Sequence, residues 1–507
     1  MSPAARTHRS DAALLARGAI VNLLGNIGRL SRAFSLMLIA WLFGAEALGL
    51  YVLAWATTEF LRRFVSYGIE PTIVYKLGPL LVSRDDTRIA QTIASSLVLV
   101  GATSLVGSLA LYFGAPFIAN TVLREPRLVE VLPVFVSAMP AFAVTSVFLA
   151  ATRAKKIMRF EIIARSFVEP FVLLLGTLVA WAAKTGVTGL VVAQTSAFWI
   201  SAFFCAYFYG TQFPLRALFA ALRRPSHLAG VFHFATPVAA KDVIAQGVAR
   251  IDLFLVGHLL DAKAVGVYGI VLELVVFSKH ARQALEPIMA PLVAEQHHTA
   301  DRERLHRTYA NATRWALLVN LGLFGVAQIA GDSVLSIYGK DFKAGGTALA
   351  ILFFGQIVSG TFGLSETVLL MVGRPALMLG DMALLLAMIG VFDYAAIQVW
   401  GLTGAALGTA GATMLVVLLQ VRQARKKAGV HPWSRALLKP VGACTLGLAV
   451  AHLLPLGGLD GITSDVVKTV TFSAIYGLLL VWLGMEAEEK HLGAWVKAKL
   501  HSLLNEG

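Results

Sequence analysis

From Ile89 to Leu123, and again from Thr185 to Leu215, the chain runs without a single Asp, Glu, Lys or Arg. A bilayer core needs about 20 apolar residues in helical form, and runs of this length meet that requirement. Lipid offers no partner for backbone N–H and C=O groups, so only helices and closed barrels cross it. A barrel would show alternating segments of about ten residues, which these unbroken stretches lack. Over 507 residues, 57% are hydrophobic, 14% are charged and the mean hydropathy is +0.73. The expected fold class is therefore all-α, a polytopic membrane protein.

Hydropathy, Gly/Pro punctuation and charge clusters place fourteen transmembrane helices at about 17–43, 48–70, 89–113, 128–151, 162–183, 186–210, 230–259, 265–290, 309–330, 345–371, 376–399, 401–421, 440–458 and 466–484. Most Lys and Arg fall on one side: the N-terminal segment, the loops after the even-numbered spans, and the tail. The opposite side holds only Arg124, Arg127, Lys184, Lys263, Lys340, Lys343 and Lys468. The positive-inside rule then predicts a multi-pass membrane protein with both termini cytoplasmic. The same bias accounts for most of the +14 net charge, so a basic rim near anionic lipid suffices and no nucleic acid is expected as a partner. The first sixteen residues show no cleavable signal pattern, so the first span is expected to act as its own insertion signal.

Against this background the segment Lys241 to Tyr268 stands out, with Lys241, Asp242, Arg250 and Asp252 inside a membrane-length run. A charge at a bilayer centre costs roughly 2.5–3.5 kcal/mol on insertion scales, so such residues face a bundle interior or an aqueous cavity. Lys241 and Asp252 fall on nearly one helical face and Arg250 lies roughly opposite Lys241. Mutual neutralisation in buried pairs is the competing reading. Ten cations lie inside the spans. Arg63, Arg165 and Arg314 sit toward the cytoplasmic ends, where snorkelling would explain them. The other seven, Arg29, Arg32, Arg62, Lys241, Arg250, Lys279 and Arg282, come from spans 1, 2, 7 and 8 alone and are the candidate lining of a cationic cavity. Asn22, Asn26 and Arg29 form one polar stripe, and Lys279, Arg282 and Glu286 another. Three acids in these spans, Glu59, Asp252 and Glu273, are candidates for ion coupling. Glu59 reaches Arg62 and Arg63 at i+3 and i+4, so plain pairing and cavity lining are equally open there.

The clustering follows an internal repeat. Leu42–Tyr51 (LFGAEALGLY) overlays Leu259–Tyr268 (LLDAKAVGVY) without gaps at an offset of 217. Arg62 falls on Lys279 at that offset. A one-residue slip brings Arg32 onto Arg250 and Glu70-Pro71 onto Glu286-Pro287. Gly186-Val187-Thr188-Gly189 likewise matches Gly401-Leu402-Thr403-Gly404 at an offset of 215. The expected organisation is a cytoplasmic segment 1–16, a six-helix lobe 17–210, a linker 211–229, a second six-helix lobe 230–421, a basic loop 422–439, a helix pair 440–484 outside the repeat, and a tail 485–507. Lobes of six helices keep one orientation, a parallel repeat whose substrate site lies where the lobes meet. Arg32, Arg250, Arg62 and Lys279 are expected to form a pseudo-symmetric cationic site there.

Other chemistries find no support. Cys205 and Cys444 lie in apolar runs and read as small core residues. No nucleotide-binding Gly-rich loop, Ser/His/Asp constellation or metal-spaced His/Cys set is present, and His297-His298 sits in a charged loop. No catalytic residue, metal or cofactor is expected.

The segment VARIDLFLVG (Val248–Gly257) followed by Gly266-x-Tyr, the earlier Gly49-x-Tyr with Gly68-Ile69-Glu70, the Gly373-Arg374-Pro375 turn and Gly401-Leu402-Thr403-Gly404-Ala405-Ala406 together resemble the polysaccharide-transport (Wzx-type) flippases of the MATE/MOP superfamily. One departure is VFDYAAIQ (Val391–Gln398), where relatives tend to carry an Asn/Leu-rich run and a Pro. The resemblance implies two lobes around a V-shaped, alternating-access cavity. Its implied cargo is an undecaprenyl-diphosphate-linked oligosaccharide, with membrane lipids and polysaccharide polymerase and export machinery as further partners. Arg and Lys along a wet path would lower the barrier to a diphosphate. The rival transport readings are a lipid II flippase, which differs mainly in the sugar, and a multidrug exporter, for which a carboxylate-dominated pocket is expected. A membrane glycosyltransferase would need larger outer loops than these, and a structural scaffold would not need so many intramembrane charges.

Overall fold

In the computed structural model the backbone is described for residues 3–454 and 461–482, and side chains from Arg32 onward within those ranges apart from residues 280 and 281. Among the described residues the chain is helical throughout, with turns but no strand. Twelve segments of the described residues are long and apolar enough to cross a membrane, from Arg32–Ser83 to Gly461–Trp482. Fourteen were expected, and the difference has a cause in two glycines. Within the helix Pro3–Ser66, Gly44 takes φ 83°, ψ 175°, and within Pro375–Ala428, Gly401 takes φ 53°, ψ −131°. Positive φ carries no penalty for glycine alone, so the chain can turn there without an intervening loop.

Both turns are reversals. Arg32 and Trp55 would stand about 35 Å apart on a straight helix at 1.5 Å per residue, yet the guanidinium carbon of Arg32 lies 3.9 Å from the Trp55 ring centroid. Asp381 and Gln423 would be about 60 Å apart, yet Gln423 Nε2 donates to Asp381 Oδ1 at 2.9 Å. Two of the twelve segments are thus hairpins with two apolar arms each. Their reversals fall where the expected spans 1 and 2, and 11 and 12, abut.

By packing, the chain divides into two compact units: Met1–Ile270 with Tyr338–Phe342 and Leu386–Ala405, and Val271–Ile337 with Lys343–Leu385 and Ala406–Gly507. The helix Leu228–Leu259, which the repeat grouped with a second lobe at 230–421, packs inside the first unit against the first helix. Glycine explains the fit. A Cβ on Gly257 would meet the Leu53 side chain at 2.8 Å. A Cβ on Gly49 would overlap the carbonyl oxygen of Ala262, and one on Gly266 would overlap that of Ala45. Gly49 and Gly266 are equivalent in the repeat, as are Ala45 and Ala262. The two copies of the repeated decapeptide therefore cross each other reciprocally, backbone against backbone. Gly269 continues the crossing against Val52, its own repeat equivalent, at 3.2 Å from a built Cβ.

In the second unit, one apolar cluster joins Met289 and Val293 to Leu305, Tyr309, Leu364 and Val368. Another holds the C-terminal pair Leu438–Leu453 and Gly461–Trp482: Phe472 fills the space left by Gly325 and Gly447, and the Tyr476 hydroxyl donates to Leu318 O at 2.9 Å. Cys205 and Cys444 are both buried free thiols, as their apolar surroundings in sequence implied.

Candidate functional site

The first unit encloses a cavity of about 800 Å³ lined by Arg32, Arg62, Arg63, Arg165, Arg250, Glu59, Glu161 and Glu169 among its charged residues. Five guanidiniums face three carboxylates, so the cavity is cationic.

Local structure explains how these side chains converge. After the reversal at Gly44, the second arm presents Tyr51, Trp55, Glu59, Arg62 and Arg63 at spacings of three and four, a single stripe on the cavity wall. The first arm contributes Arg32, Ser35 and Leu36, brought opposite Trp55 by the hairpin. Leu228–Leu259 adds Gln246, Ala249 and Arg250 at the same kind of spacing. A fourth wall comes from Arg159–Ala182, where residues Ile162–Val168 widen into π-helical turns. That stretch sets Glu161, Arg165 and Glu169 on one side, and such wide turns recur at functional sites.

Glutamates fix two of these arginines. Arg62 is clamped by Glu59: Nε donates to Oε2 at 3.0 Å and Nη2 bonds Oε1, while Arg63 Nη2 lies 3.9 Å from the same carboxylate. Arg165 is fixed by Glu70 at 2.7 Å and Glu161 at 3.2 Å, and Arg153 bonds the same two glutamates at 2.8 and 3.4 Å. Arg32 and Arg250 lie over one indole, with their Cζ atoms 3.9 and 4.8 Å from the Trp55 ring centroid. Polar lining completes the wall: the Tyr51 hydroxyl donates to Gln194 Oε1 at 2.7 Å, and Ser201 Oγ donates to Glu169 Oε1 at 3.0 Å.

Of the seven cations singled out from sequence, the structure brings Arg32, Arg62 and Arg250 to this cavity. Arg29, with Asn22 and Asn26, lies outside the described side chains. Lys241 is exposed and does not line the cavity. Lys279 and Arg282 belong to the second unit, so the equivalence of Lys279 with Arg62 in the repeat does not make it a wall of this cavity. Arg282 bonds Glu286 at 3.2 Å and Glu366 at 3.1 Å within that unit. Among the candidate coupling acids only Glu59 lines the cavity. Asp252 is buried, accepting from Leu253 N at 2.7 Å and from the Tyr268 hydroxyl at 3.3 Å, and Glu273 is half-buried in the second unit.

Snorkelling is not what holds Arg165 and Arg314. Arg165 points into the cavity wall because Glu70 and Glu161 anchor it there, and Arg314 is 5% exposed. Arg63 lines the cavity beside Glu59. The residues that sequence reasoning passed over are Trp55, Glu161, Glu169 and Gln194. Their signal was spacing: Trp55 sits midway between Tyr51 and Glu59, and Glu161, Arg165 and Glu169 recur every four residues.

The described residues form an all-helical bundle of membrane-length apolar segments, with a polar cavity in its first unit. The chain belongs to the polysaccharide biosynthesis protein family, whose model matches residues 38–344. It is similar to the stage V sporulation protein B of Bacillus subtilis (strain 168), 28% identical over 146 residues. That alignment spans 29% of this chain and only 27% of the relative's length. Among solved structures, it resembles the lipid II flippase MurJ in an inward closed conformation, with a TM-score of 0.76 and 13% identity over 92% of this chain and 98% of that one. It also resembles an inward-facing multidrug resistance MATE family transporter of the MOP superfamily, with a TM-score of 0.67 and 15% identity over 80% and 94% of the two chains. At such identities these likenesses establish the fold, which is the MurJ/MATE-like transporter fold.

Proposed function

We propose that this protein is a flippase that moves an undecaprenyl-diphosphate-linked oligosaccharide across the bacterial cytoplasmic membrane by alternating access, with both termini cytoplasmic and the repeat halves 17–210 and 230–421 as its two six-helix lobes. The observation that carries this reading is the excess of arginine over glutamate in a cavity inside an apolar bundle. Charge of this sign is costly there unless it meets an anion, and Arg presents a planar set of donors suited to phosphate oxygens. Arg32, Arg250 and Arg62 are the residues we assign to the diphosphate. The glycan would occupy the wet cavity while the lipid tail stays in the bilayer. Membership of a polysaccharide biosynthesis family supports a glycan-bearing cargo. The multidrug alternative is disfavoured because organic cations call for a carboxylate-dominated pocket.

Coupling to an ion gradient is part of the proposal, with Glu59, Asp252 and Glu273 as its candidate acids. Of the three, Glu59 is in contact with cavity cations, so its protonation would release Arg62.

The test is translocation in proteoliposomes containing the purified protein and, in parallel, a labelled undecaprenyl-diphosphate oligosaccharide, lipid II, or a cationic dye. Transport of the oligosaccharide is the expected result. Transport of lipid II alone would reassign the cargo, and transport of the dye alone would overturn the anionic reading. Collapsing the proton and sodium gradients should slow transport. Rates unaffected by either would remove the coupling role of the three acids.

A further inference from the structure

Between Glu169 and Asp242 the sequence holds no Asp or Glu, yet it holds Arg216, Arg223 and Arg224. These three flank or belong to a short helix, Leu215–Leu222, in the segment that joins the two copies of the repeat. The helix is fixed from both sides. Before it, Lys155 Nζ bonds Gln212 O and lies 4.0 Å from the Phe213 ring centroid. After it, His227 N donates to Ser95 Oγ at 3.3 Å. Leu218 is buried where the helix packs on Asp86–Phe117. The acids at the start of that neighbouring helix have other partners: Asp85 pairs with Arg88 at 3.4 Å, and Asp86 lies within electrostatic reach of Lys155. Arg216, Arg223 and Arg224 are exposed, and none of them pairs with an acid among the described residues.

The outer face of the helix is mixed in a particular order. Leu215 and Phe219 are 44% and 64% exposed. At about 100° per residue, Leu215, Phe219, Arg223 and Arg216 follow one another round the axis within about 100°, so an exposed apolar strip has guanidiniums along one edge. A helix of this pattern lies in the membrane interface, with its apolar side chains among the acyl chains and its cations at headgroup level. The neighbouring helices keep it there, since Gly186–Gln212 ends just before it and Leu228–Leu259 begins just after it, both long and apolar enough to cross a membrane.

We propose that this helix is a binding site for anionic phospholipid, in which Leu215 and Phe219 enter the acyl region and Arg216, Arg223 and Arg224 bind headgroup phosphates. The planar donor set of a guanidinium suits phosphate oxygens, and each arginine near an anionic surface favours attachment by about fivefold. None of these residues lines the cavity, so the site is independent of the cargo. It fastens the chain between the repeat copies to the membrane surface.

The experiment uses full-length protein lacking Cys205 and Cys444 and carrying Ala220→Cys, an exposed position on the same helix, labelled there with a fluorophore and reconstituted in phosphatidylcholine vesicles. Phosphatidylglycerol bearing a nitroxide near the top of one acyl chain is compared as a quencher with phosphatidylcholine bearing the same nitroxide. Phosphatidylglycerol should quench at a severalfold lower mole fraction, and this preference should shrink as salt rises. Arg216→Gln, Arg223→Gln and Arg224→Gln should each lower it by up to about fivefold and together abolish it, while Arg425→Gln, outside the segment, should leave it unchanged. Leu215→Ser with Phe219→Ser should weaken quenching by both lipids. Equal quenching by the two lipids in the arginine-intact protein, or a preference that survives in the triple variant, overturns the proposal. Absence of quenching by either lipid overturns it as well, because the face then lies away from the membrane. Displacement of phosphatidylglycerol by inorganic phosphate, with an equal concentration of chloride having no effect, would make this a site for a soluble anion and overturn the lipid assignment.

Discussion

Adding a single methyl group at Gly49 probes the crossing on which the first unit is built. A Cβ there would overlap the carbonyl oxygen of Ala262 and would lie 2.9 Å from Gly266 N. Both are backbone atoms, so no side chain can swing aside and the helices themselves must part. Overpacking of this kind costs typically about 1–3 kcal/mol, which depopulates the crossed arrangement about five- to 150-fold. A thiol at Ala45, which is 4% exposed and belongs to the same crossing, reports that opening. In protein lacking Cys205 and Cys444, maleimide should label Ala45→Cys slowly, and adding Gly49→Ala should speed labelling by a factor in that range. Gly266→Ala should act in the same way, because its Cβ would overlap Ala45 O. Equal labelling rates with and without the glycine substitutions, in protein of unchanged thermal stability, would refute the reasoning.

Glu70→Gln removes the carboxylate shared by Arg153 and Arg165 and should cost about 1–3 kcal/mol, less than a fully buried pair because the side chains are about a quarter exposed; an unchanged thermal midpoint in detergent would contradict this. Lys263→Ala, which breaks an exposed pair with Asp341, should leave the thermal midpoint unchanged, and a clear drop in the same assay would show that the pair is a structural anchor. A reporter active only in the periplasm, fused after Gly507, should stay silent. Activity there would mean an odd number of spans.

The fold was legible because its constraints are local. Unbroken apolar runs demand helices, and Gly44 and Gly401 stood at the abutting ends of expected spans that turned out to be hairpin arms. The repeat could be read from a decapeptide, and its two copies proved to be in contact through Gly49 and Gly266. The cavity was legible only in part. Arg32, Arg62 and Arg250 betrayed themselves by the cost of charge in lipid, a property of each residue alone. Arg165 carries the same cost but reads as snorkelling near a span end, because its anchor Glu70 is 95 positions away and pairing at that distance leaves no periodic trace. Trp55 was silent for another reason: an aromatic residue in an apolar helix looks like packing until the cations over its face are known. Lys279 shows the converse, since equivalence in a repeat fixes a residue's place in its own copy and not the cavity it lines.

The central claim, that Arg32 and Arg250 carry an anionic lipid-linked glycan across the membrane, is tested most directly by translocation of labelled undecaprenyl-diphosphate oligosaccharide in proteoliposomes. The proteins to compare are Arg32→Ala, Arg250→Ala, the two Lys substitutions, and Arg425→Ala, an exposed control outside the cavity. Both Ala variants should reconstitute normally and fail to transport, Lys should substitute poorly because it lacks the planar fork of donors, and Arg425→Ala should transport as wild type does. Normal transport by Arg32→Ala and Arg250→Ala would contradict the claim.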